Sequence, residues 1–304
     1  MAKILYGAPV REQIKMGLKK RVQKLGRNPV LVIVQVGDRD DSNIYIRNKI
    51  KFGEEIGIKV SLKKFTEDIK EEELIAEIEK LNLDNEINGM IVQLPLPENL
   101  DREKIVQSID IKKDVDGLTS PLASRSPLLE KEREEGILLV TPATARGVMA
   151  LLDFYKIEVK GKKVVVIGRS KLAGGPIAES LKEKGGEVTV CHRSTENIAS
   201  VCRGADILIS ATGQVGLVTK EFVREGQVVV DVGINRPHPS HEITPPNPLL
   251  LQEGGPKRPK IVGDVAFEEV ELIVSAITPV PGGVGPLTVA CLFENLLDLT
   301  EEVN

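Results

Sequence analysis

The stretch Val164 to Pro176, VVVIGRSKLAGGP, constrains this chain more than any other. Val164, Val165, Val166 and Ile167 form an unbroken β-branched run, which suits a parallel strand covered on both faces; a strand with one wet face would alternate. Gly168 ends the run. Gly174 and Gly175 permit close backbone approach, and Pro176 fits the first position of a helix, where its missing N–H costs nothing and the remaining free N–H groups can face an anion. The helix Ile177 to Lys184 stops at Gly185, and a second strand follows in Glu187 to Cys191.

A strand–helix–strand unit of this form is of the dinucleotide-binding kind. Its fingerprint is incomplete. The second and third glycines of G-x-G-x-x-G would fall at Ser170 and Ala173, so the loop alone also reads as a glycine-rich turn without a ligand. The end of the second strand says more. An NAD site places an acid there for the ribose hydroxyls, whereas this chain has Cys191-His192-Arg193-Ser194, and Glu187 begins the strand at the wrong edge. Arg193, together with Arg169, offers a guanidinium for a ribose phosphate, which points to NADP; taken singly, each arginine also reads as a solvated surface charge.

At 304 residues the chain exceeds the usual single-domain size, and 41% hydrophobic residues supply ample core. A net charge of −4, with 3% aromatic residues and no Trp, argues against a nucleic-acid surface. Three cysteines, Cys191, Cys202 and Cys291, include no C-x-x-C pair, so neither a disulfide framework nor a zinc cluster is indicated and a reducing cytoplasm fits. The N-terminal stretch reaches charged residues too soon for a secretory segment. Leu272 to Phe293 carries no charge, but Pro279, Pro281, Gly282, Gly283, Gly285 and Pro286 break it into a strand, a loop and a helix, so no membrane span is expected.

Hydrophobic spacing places helices at Pro9 to Leu25, closed by Gly26, and from an N-cap at Ser42 to Ile56, stopped by Gly57. Strands fall at Val30 to Val36, Ile58 to Phe65 and Asn88 to Leu94; Thr66 opens a helix, and Asp101 to Ile109 forms a short one. Asp110 to Val140 is irregular, with Glu130 to Glu135 a solvated charged run, and a helix from Thr144 to Tyr155 enters the second lobe. That lobe adds strands at Ala205 to Ser210 and Val228 to Val232, with Thr219 capping the helix between them. His238 to Pro259 is a proline-rich excursion in which His238 and His241 lack a third metal ligand, so no metal is expected. Leu287 to Leu299 is a terminal helix. The fold class is α/β in two lobes: residues 1–141, residues 142–284 with a Rossmann-like parallel sheet, and a segment 285–304 that returns to the first lobe.

On the Ser42 helix, Tyr45 and Lys49 stand four residues apart on one face, and the stripe continues through Phe52 and Ile56. A lysine on an inward stripe is partly desolvated, which lowers its pKa toward neutrality; the alternative is a lysine whose stem covers apolar surface while its ammonium reaches water. Gln93 is polar at the C-terminal end of its strand, where open sheets place ligand crevices, or is an amide satisfied by backbone. Asp114 and Asp116 before Gly117 could serve a ligand or simply make a turn.

Together these pieces carry a resemblance. SNIYIRNK at Ser42 to Lys49, IVQLPLP at Ile91 to Pro97, KDVDG at Lys113 to Gly117, GRS at Gly168 to Ser170 and TPVPGGVGPLTVA at Thr278 to Ala290 resemble the bifunctional methylenetetrahydrofolate dehydrogenase/methenyltetrahydrofolate cyclohydrolases, from the first helix to the last. The resemblance implies a homodimer with a folate-binding catalytic lobe and an NADP-binding lobe. It implies Lys49 as the catalytic lysine with Tyr45 beside it, Gln93 poising Lys49 and contacting the folate, and Asp116 hydrogen-bonding the pterin-like ring. Gly168, Arg169, Ser170, Arg193 and Ile234 match cofactor positions. Hydride transfer from methylenetetrahydrofolate, then water attack on the methenyl cation, would give a formyltetrahydrofolate. The chain departs from the family at DRDD before Ser42, at TPATARG, in Ser120 to Glu135 and in the length of His238 to Pro259. A dehydrogenase without the hydrolytic step, or a non-catalytic nucleotide-binding scaffold, are the alternatives; retention of Tyr45, Lys49, Gln93 and Asp116 argues against both.

Overall fold

Two all-parallel sheets organise the molecule, and each is covered by helices on both faces. The computed structural model describes residues 1–119, 140–235 and 261–302. Ser120 to Glu135, with the charged run Glu130 to Glu135, and His238 to Pro259, with His238 and His241, therefore lie outside the described residues.

After a two-residue strand β1 (Lys3–Ile4), the first lobe runs α1 (Gly7–Leu25), β2 (Val30–Val36), α2 (Asp40–Ile56), β3 (Lys59–Phe65), α3 (Glu71–Leu83), β4 (Gly89–Val92) and α4 (Arg102–Gln107). Its sheet has the order β3-β2-β4, with β2 in the centre. Leu31 and Ile33 pack into one core with Phe52 and Ile56 of α2, while Val32, Val34 and Val36 pack into another with Leu74 and Ile78 of α3. Burial on both faces is why the strand sequence does not alternate.

The second lobe contains α5 (Ala143–Phe154), β5 (Lys163–Ile167), α6 (Gly174–Glu183), β6 (Glu187–Cys191), α7 (Ile198–Arg203), β7 (Ile207–Ser210), β8 (Val228–Asp231), α8 (Phe267–Val270) and β9 (Ala276–Ile277), and α9 (Gly285–Glu302) follows. Sheet order is β1-β9-β8-β7-β5-β6. Val164 and Val166 face a core shared with Ile177 and Leu181 of α6, and Val165 and Ile167 face the opposite core with Cys202. The strand order reverses at β5, which pairs in parallel with β6 on one side and with β7 on the other, so a crevice opens beyond the ends of β5 and β7.

Several boundaries differ from the sequence reading. A division at residue 141 assigns Lys3 and Ile4 to the first lobe, yet β1 pairs with Ala276 and Ile277 in the second sheet. The edge of β9 is what such a short strand can complete. Ser42 is not an N-cap: α2 starts at Asp40 behind an extended Arg39, the Asn43 amide donates to the Arg39 carbonyl at 3.0 Å, and Ser42 is buried inside the helix. An acidic residue at the start is favoured by the helix dipole. Pro176 occupies the third helical position, because the Ile177 amide already donates to the Ala173 carbonyl at 3.0 Å; a proline anywhere in the first turn removes no helical bond. Thr66 heads only a turn, and α3 begins with Glu71, Glu72 and Glu73. Between β7 and β8 Thr219 caps a single 3-10 turn, Lys220–Phe222, through a bond from the Glu221 amide.

Helix α9 packs its buried face, including Leu292, Phe293, Leu296 and Leu297, into the first lobe's core beside Leu18 and Leu31. Phe293 is fully buried and tilted against Phe52, with ring centroids 5.4 Å apart. Phe293→Ala empties that site and should lower unfolding free energy by about 3–5 kcal/mol, read by denaturant unfolding; a loss under ~1 kcal/mol would mean that α9 contributes little to the core.

Candidate functional site

Between the lobes lies a cleft of about 560 Å³, lined by Tyr45, Lys49, Gln93 and Asp116 from one side and by Ala173, Gly213 and Ile234 from the other. An adjoining cavity of about 540 Å³ shares Tyr45 and Ile234 and is lined also by Arg11, Asn48, Lys51 and Pro281.

Lys49 reaches the cleft from α2 with only 9% of its surface exposed. Its ammonium donates to Gln93 Oε1 at 3.0 Å. Gln93 follows β4, where its own amide nitrogen donates to the Leu94 carbonyl at 2.7 Å, which leaves the side-chain oxygen for the lysine. Burial pushes the Lys49 ammonium below the usual lysine range, and the Asp116 carboxylate opposes that shift. The reciprocal holds at Asp116, where burial raises the carboxyl above its ordinary value and Lys49 opposes. Lys49 is thus not the solvated lysine that its helix position alone allowed. Tyr45 is half-buried beside it and makes no hydrogen bond to it, so the same-face spacing yields proximity only.

Asp116 is held by a turn built on Asp114. The Met90 amide donates to the Lys113 carbonyl at 2.7 Å, drawing this segment alongside β4. The buried Asp114 carboxylate then accepts from the Asp116 and Gly117 amides, both at 3.1 Å, from the Thr119 amide at 2.6 Å and from the Thr119 hydroxyl at 2.8 Å. Its pKa is pushed up to about 6 by burial, against the pull of those donors. Asp114 therefore shapes the turn, and Asp116 alone faces the cleft. On the far side of that segment, the buried Asn295 amide of α9 donates to the Val115 and Thr141 carbonyls, each at 2.9 Å. Sequence spacing gave no sign of Asn295.

The second lobe presents its loops at the sheet's switch point. Gly168 has φ of 112°, and a Cβ there would lie 2.3 Å from the Ala211 carbonyl oxygen; one on Gly174 would lie 2.2 Å from the Gly168 carbonyl oxygen. Only glycine permits this close strand–loop–helix approach. The amides at the start of α6 are not all free for an anion, however: the Ala173 amide donates to Ser170 Oγ at 3.2 Å and the Gly175 amide to the Ser170 carbonyl at 3.0 Å. Two side chains add positive charge at this rim. Arg169 and Arg193 are exposed on the loops after β5 and β6, and neither has an ion pair among the described residues. The fit to a phosphorylated dinucleotide rests on these two guanidiniums, on the glycine approach and on the lack of an acid at the end of β6. Gly168, Arg169, Ser170 and Arg193 stand at that rim and do not line the central cleft, whereas Ile234 does.

A second group missed by sequence reading backs the crevice. Asp231 and Asp264 are buried side by side, and the Asp231 carboxyl is pushed up to about 6 by burial and by its acidic neighbour. Asp231 accepts from the Gly233 amide at 2.9 Å, the Asp264 amide at 3.1 Å and the Val265 amide at 2.9 Å.

Comparison with known proteins places this geometry. Residues 5–116 match the family model described as tetrahydrofolate dehydrogenase/cyclohydrolase, catalytic domain, and residues 142–304 match that of the same family's NAD(P)-binding domain. The bifunctional protein FolD of Lactobacillus acidophilus is 43% identical over 307 residues, covering 100% of this chain and 99% of its own. The bifunctional FolD dehydrogenase/cyclohydrolase of Campylobacter jejuni has a crystal structure that superposes with a TM-score of 0.86 at 38% identity, covering both chains completely. That of Trypanosoma brucei, complexed with NADP and an inhibitor, gives a TM-score of 0.83 at 34% identity over 99% of this chain and 98% of its own.

Asp116→Asn removes the one carboxylate among the described residues that supports the buried ammonium. The Lys49 pKa should then move further below its value in the unmodified protein, read by NMR titration of 13C-labelled lysine; an upward shift, or none, would show that the two groups are not coupled.

Proposed function

The chain belongs to the tetrahydrofolate dehydrogenase/cyclohydrolase family, and from that premise we propose how its residues divide the work. The protein oxidises methylenetetrahydrofolate to methenyltetrahydrofolate with NADP and hydrolyses the product to formyltetrahydrofolate. In our reading the folate ring lies in the central cleft against Asp116, whose burial favours a hydrogen-bonded partner over open solvent. Arg169, Ser170 and Arg193 hold the cofactor's phosphates, Gly168 admits its backbone, and Ile234 separates it from the folate side. When bound, NADP supplies the hydride acceptor.

The observation that carries the assignment is the buried Lys49 ammonium on Gln93. Hydride transfer asks the protein for alignment and moves no proton through a side chain. Hydrolysis asks for more: water must lose a proton as it adds to the methenyl carbon, and the ring nitrogen must gain one as the carbon–nitrogen bond opens. A lysine below its ordinary pKa takes the first proton and returns it in the second step. Gln93 keeps the amine pointed into the cleft through both. The cationic substrate adds to burial in favouring neutral Lys49.

The resemblance and three buried, free cysteines support a homodimer in a reducing cytoplasm. Light scattering should give twice the chain mass. Among the described residues, no helix is long and apolar enough to cross a membrane.

Lys49→Met keeps the stem and removes the proton carrier. Hydrolysis of methenyltetrahydrofolate should fall by about 10²-fold or more while the dehydrogenase falls by less; near-normal hydrolysis would return Lys49 to a structural role. In the same assays kcat/KM should favour NADP over NAD, and Arg193→Asp should narrow or invert the preference. Equal values for both cofactors in the unmodified protein would make the arginines ordinary surface charges.

A further inference from the structure

We propose that Asp264 is a positioning residue: its carboxylate clamps the two loops that wall the cofactor crevice, so that dehydrogenation depends on it and hydrolysis does not. This rests on the reading of the crevice as the NADP site.

The Asp264 side chain is fully buried, and its two oxygens are divided between loops from neighbouring strands. Oδ2 accepts from the Thr212 amide at 2.7 Å, the Thr212 hydroxyl at 2.9 Å and the Gly213 amide at 3.3 Å, all on the loop after β7, and from the Ser210 hydroxyl at 3.0 Å on β7 itself. Oδ1 accepts from the Asn235 side-chain amide at 2.9 Å, on the loop after β8. Asn235 in turn exchanges backbone bonds of 2.8 and 3.0 Å with Val262. Gly213, one of these anchors, and Gly233 and Ile234, next to the anchor Asn235, line the cleft, and the Ala211 carbonyl is the group against which Gly168 is packed.

A carboxylate out of contact with water is tolerated only while donors surround it. Here most of those donors belong to the loops. Any shift of Thr212–Gly213 or of Asn235 leaves part of a buried charge unpaired, so the charge enforces the loop shape more stiffly than neutral turn bonds would. The clamp is itself fixed at its base, since the Asp264 amide donates to Asp231 and the Asp231 amide donates to Thr278 Oγ1 at 2.7 Å. None of these partners is on the element that carries Lys49, Gln93 or Asp116. A single buried side chain therefore sets the geometry of one half of the cleft and leaves the proton-transfer half untouched.

Asp264→Asn keeps the shape but turns one of the two oxygens into a donor, so one loop loses its acceptor. Ser210→Ala removes a hydroxyl from the same carboxylate on the strand side and leaves both loops held. In the full-length protein, dehydrogenase KM for NADP and kcat are measured beside cofactor-free hydrolysis of methenyltetrahydrofolate in the same preparations. Asp264→Asn should raise KM for NADP, or lower dehydrogenase kcat, by about 10-fold or more, the scale of one charge-assisted hydrogen bond, with hydrolysis changed by less than about twofold. Ser210→Ala should change both activities by less than about twofold. Thr212→Val, which removes only the hydroxyl, should shift the dehydrogenase the same way by a smaller factor, and it decides the matter if Asp264→Asn does not fold. Equal losses in both activities, a Ser210→Ala effect as large as that of Asp264→Asn, or an unchanged dehydrogenase in Asp264→Asn and Thr212→Val overturns the inference. An unmodified protein that hydrolyses methenyltetrahydrofolate but shows no NADP-dependent oxidation would instead refute the cofactor reading beneath it.

Discussion

The structure depends on α9 being buried between elements that are far apart in the chain. Its apolar face completes the first lobe's core at Phe52 and Leu31, and its Asn295 amide joins the Val115 and Thr141 carbonyls, on either side of the passage from one lobe to the other. Asn295 Oδ1 is occupied as well, by Arg146 of α5 at 2.7 Å. A fully satisfied buried amide permits one arrangement of these three segments, because any other leaves polar atoms dry and unpaired. The turn carrying Asp116 is thereby fixed relative to α5, the first element after the crossing.

With the walls set, each lobe contributes a different kind of electrostatics. The first lobe places an amine and a carboxylate where burial shifts both toward neutrality and their mutual attraction resists the shift. Both shifts run in the direction that general acid–base catalysis exploits. The second lobe keeps Arg169 and Arg193 exposed at the rim and the buried carboxylates of Asp231 and Asp264 behind the loops, so buried carboxylates shape the crevice from the rear while, in the proposed reading, the two guanidiniums face a phosphate in front. The division follows from the folds: an open parallel sheet offers loop ends at a switch point, and a helix laid across a three-stranded sheet offers a desolvated side-chain stripe.

What can be read along the chain is what short-range physics controls. The strands Val30–Val36 and Lys163–Ile167 are legible because short runs rich in β-branched residues and ending in glycine have few other uses, and the ends of α1 and α2 because Gly26 and Gly57 take the left-handed conformation there, with φ of 65° and 82°. Helix starts were less legible, since Arg39 and Lys70 begin α2 and α3 with no side-chain cap and the serine or threonine nearby is used elsewhere. The stripe of Tyr45, Lys49, Phe52 and Ile56 was visible as spacing, and so was Gln93 as a polar residue at a strand end.

The sequence by itself determined which residues could do chemistry and the local elements that carry them, because periodicity and turn residues act over a few positions. Only the tertiary structure decided which of these meet. That Lys49 is buried on Gln93, 44 positions away, that Asp116 faces the cleft while Asp114 turns inward, that β1 completes the second sheet beside Ala276 and Ile277, and that Asp264 and Asn295 hold the walls through partners 29 to 180 positions away all depend on how separate segments come together. Such contacts leave no periodic trace in the chain. They are selected by the cost of burying a polar group without its partner, and that cost exists only once the surrounding core has excluded water.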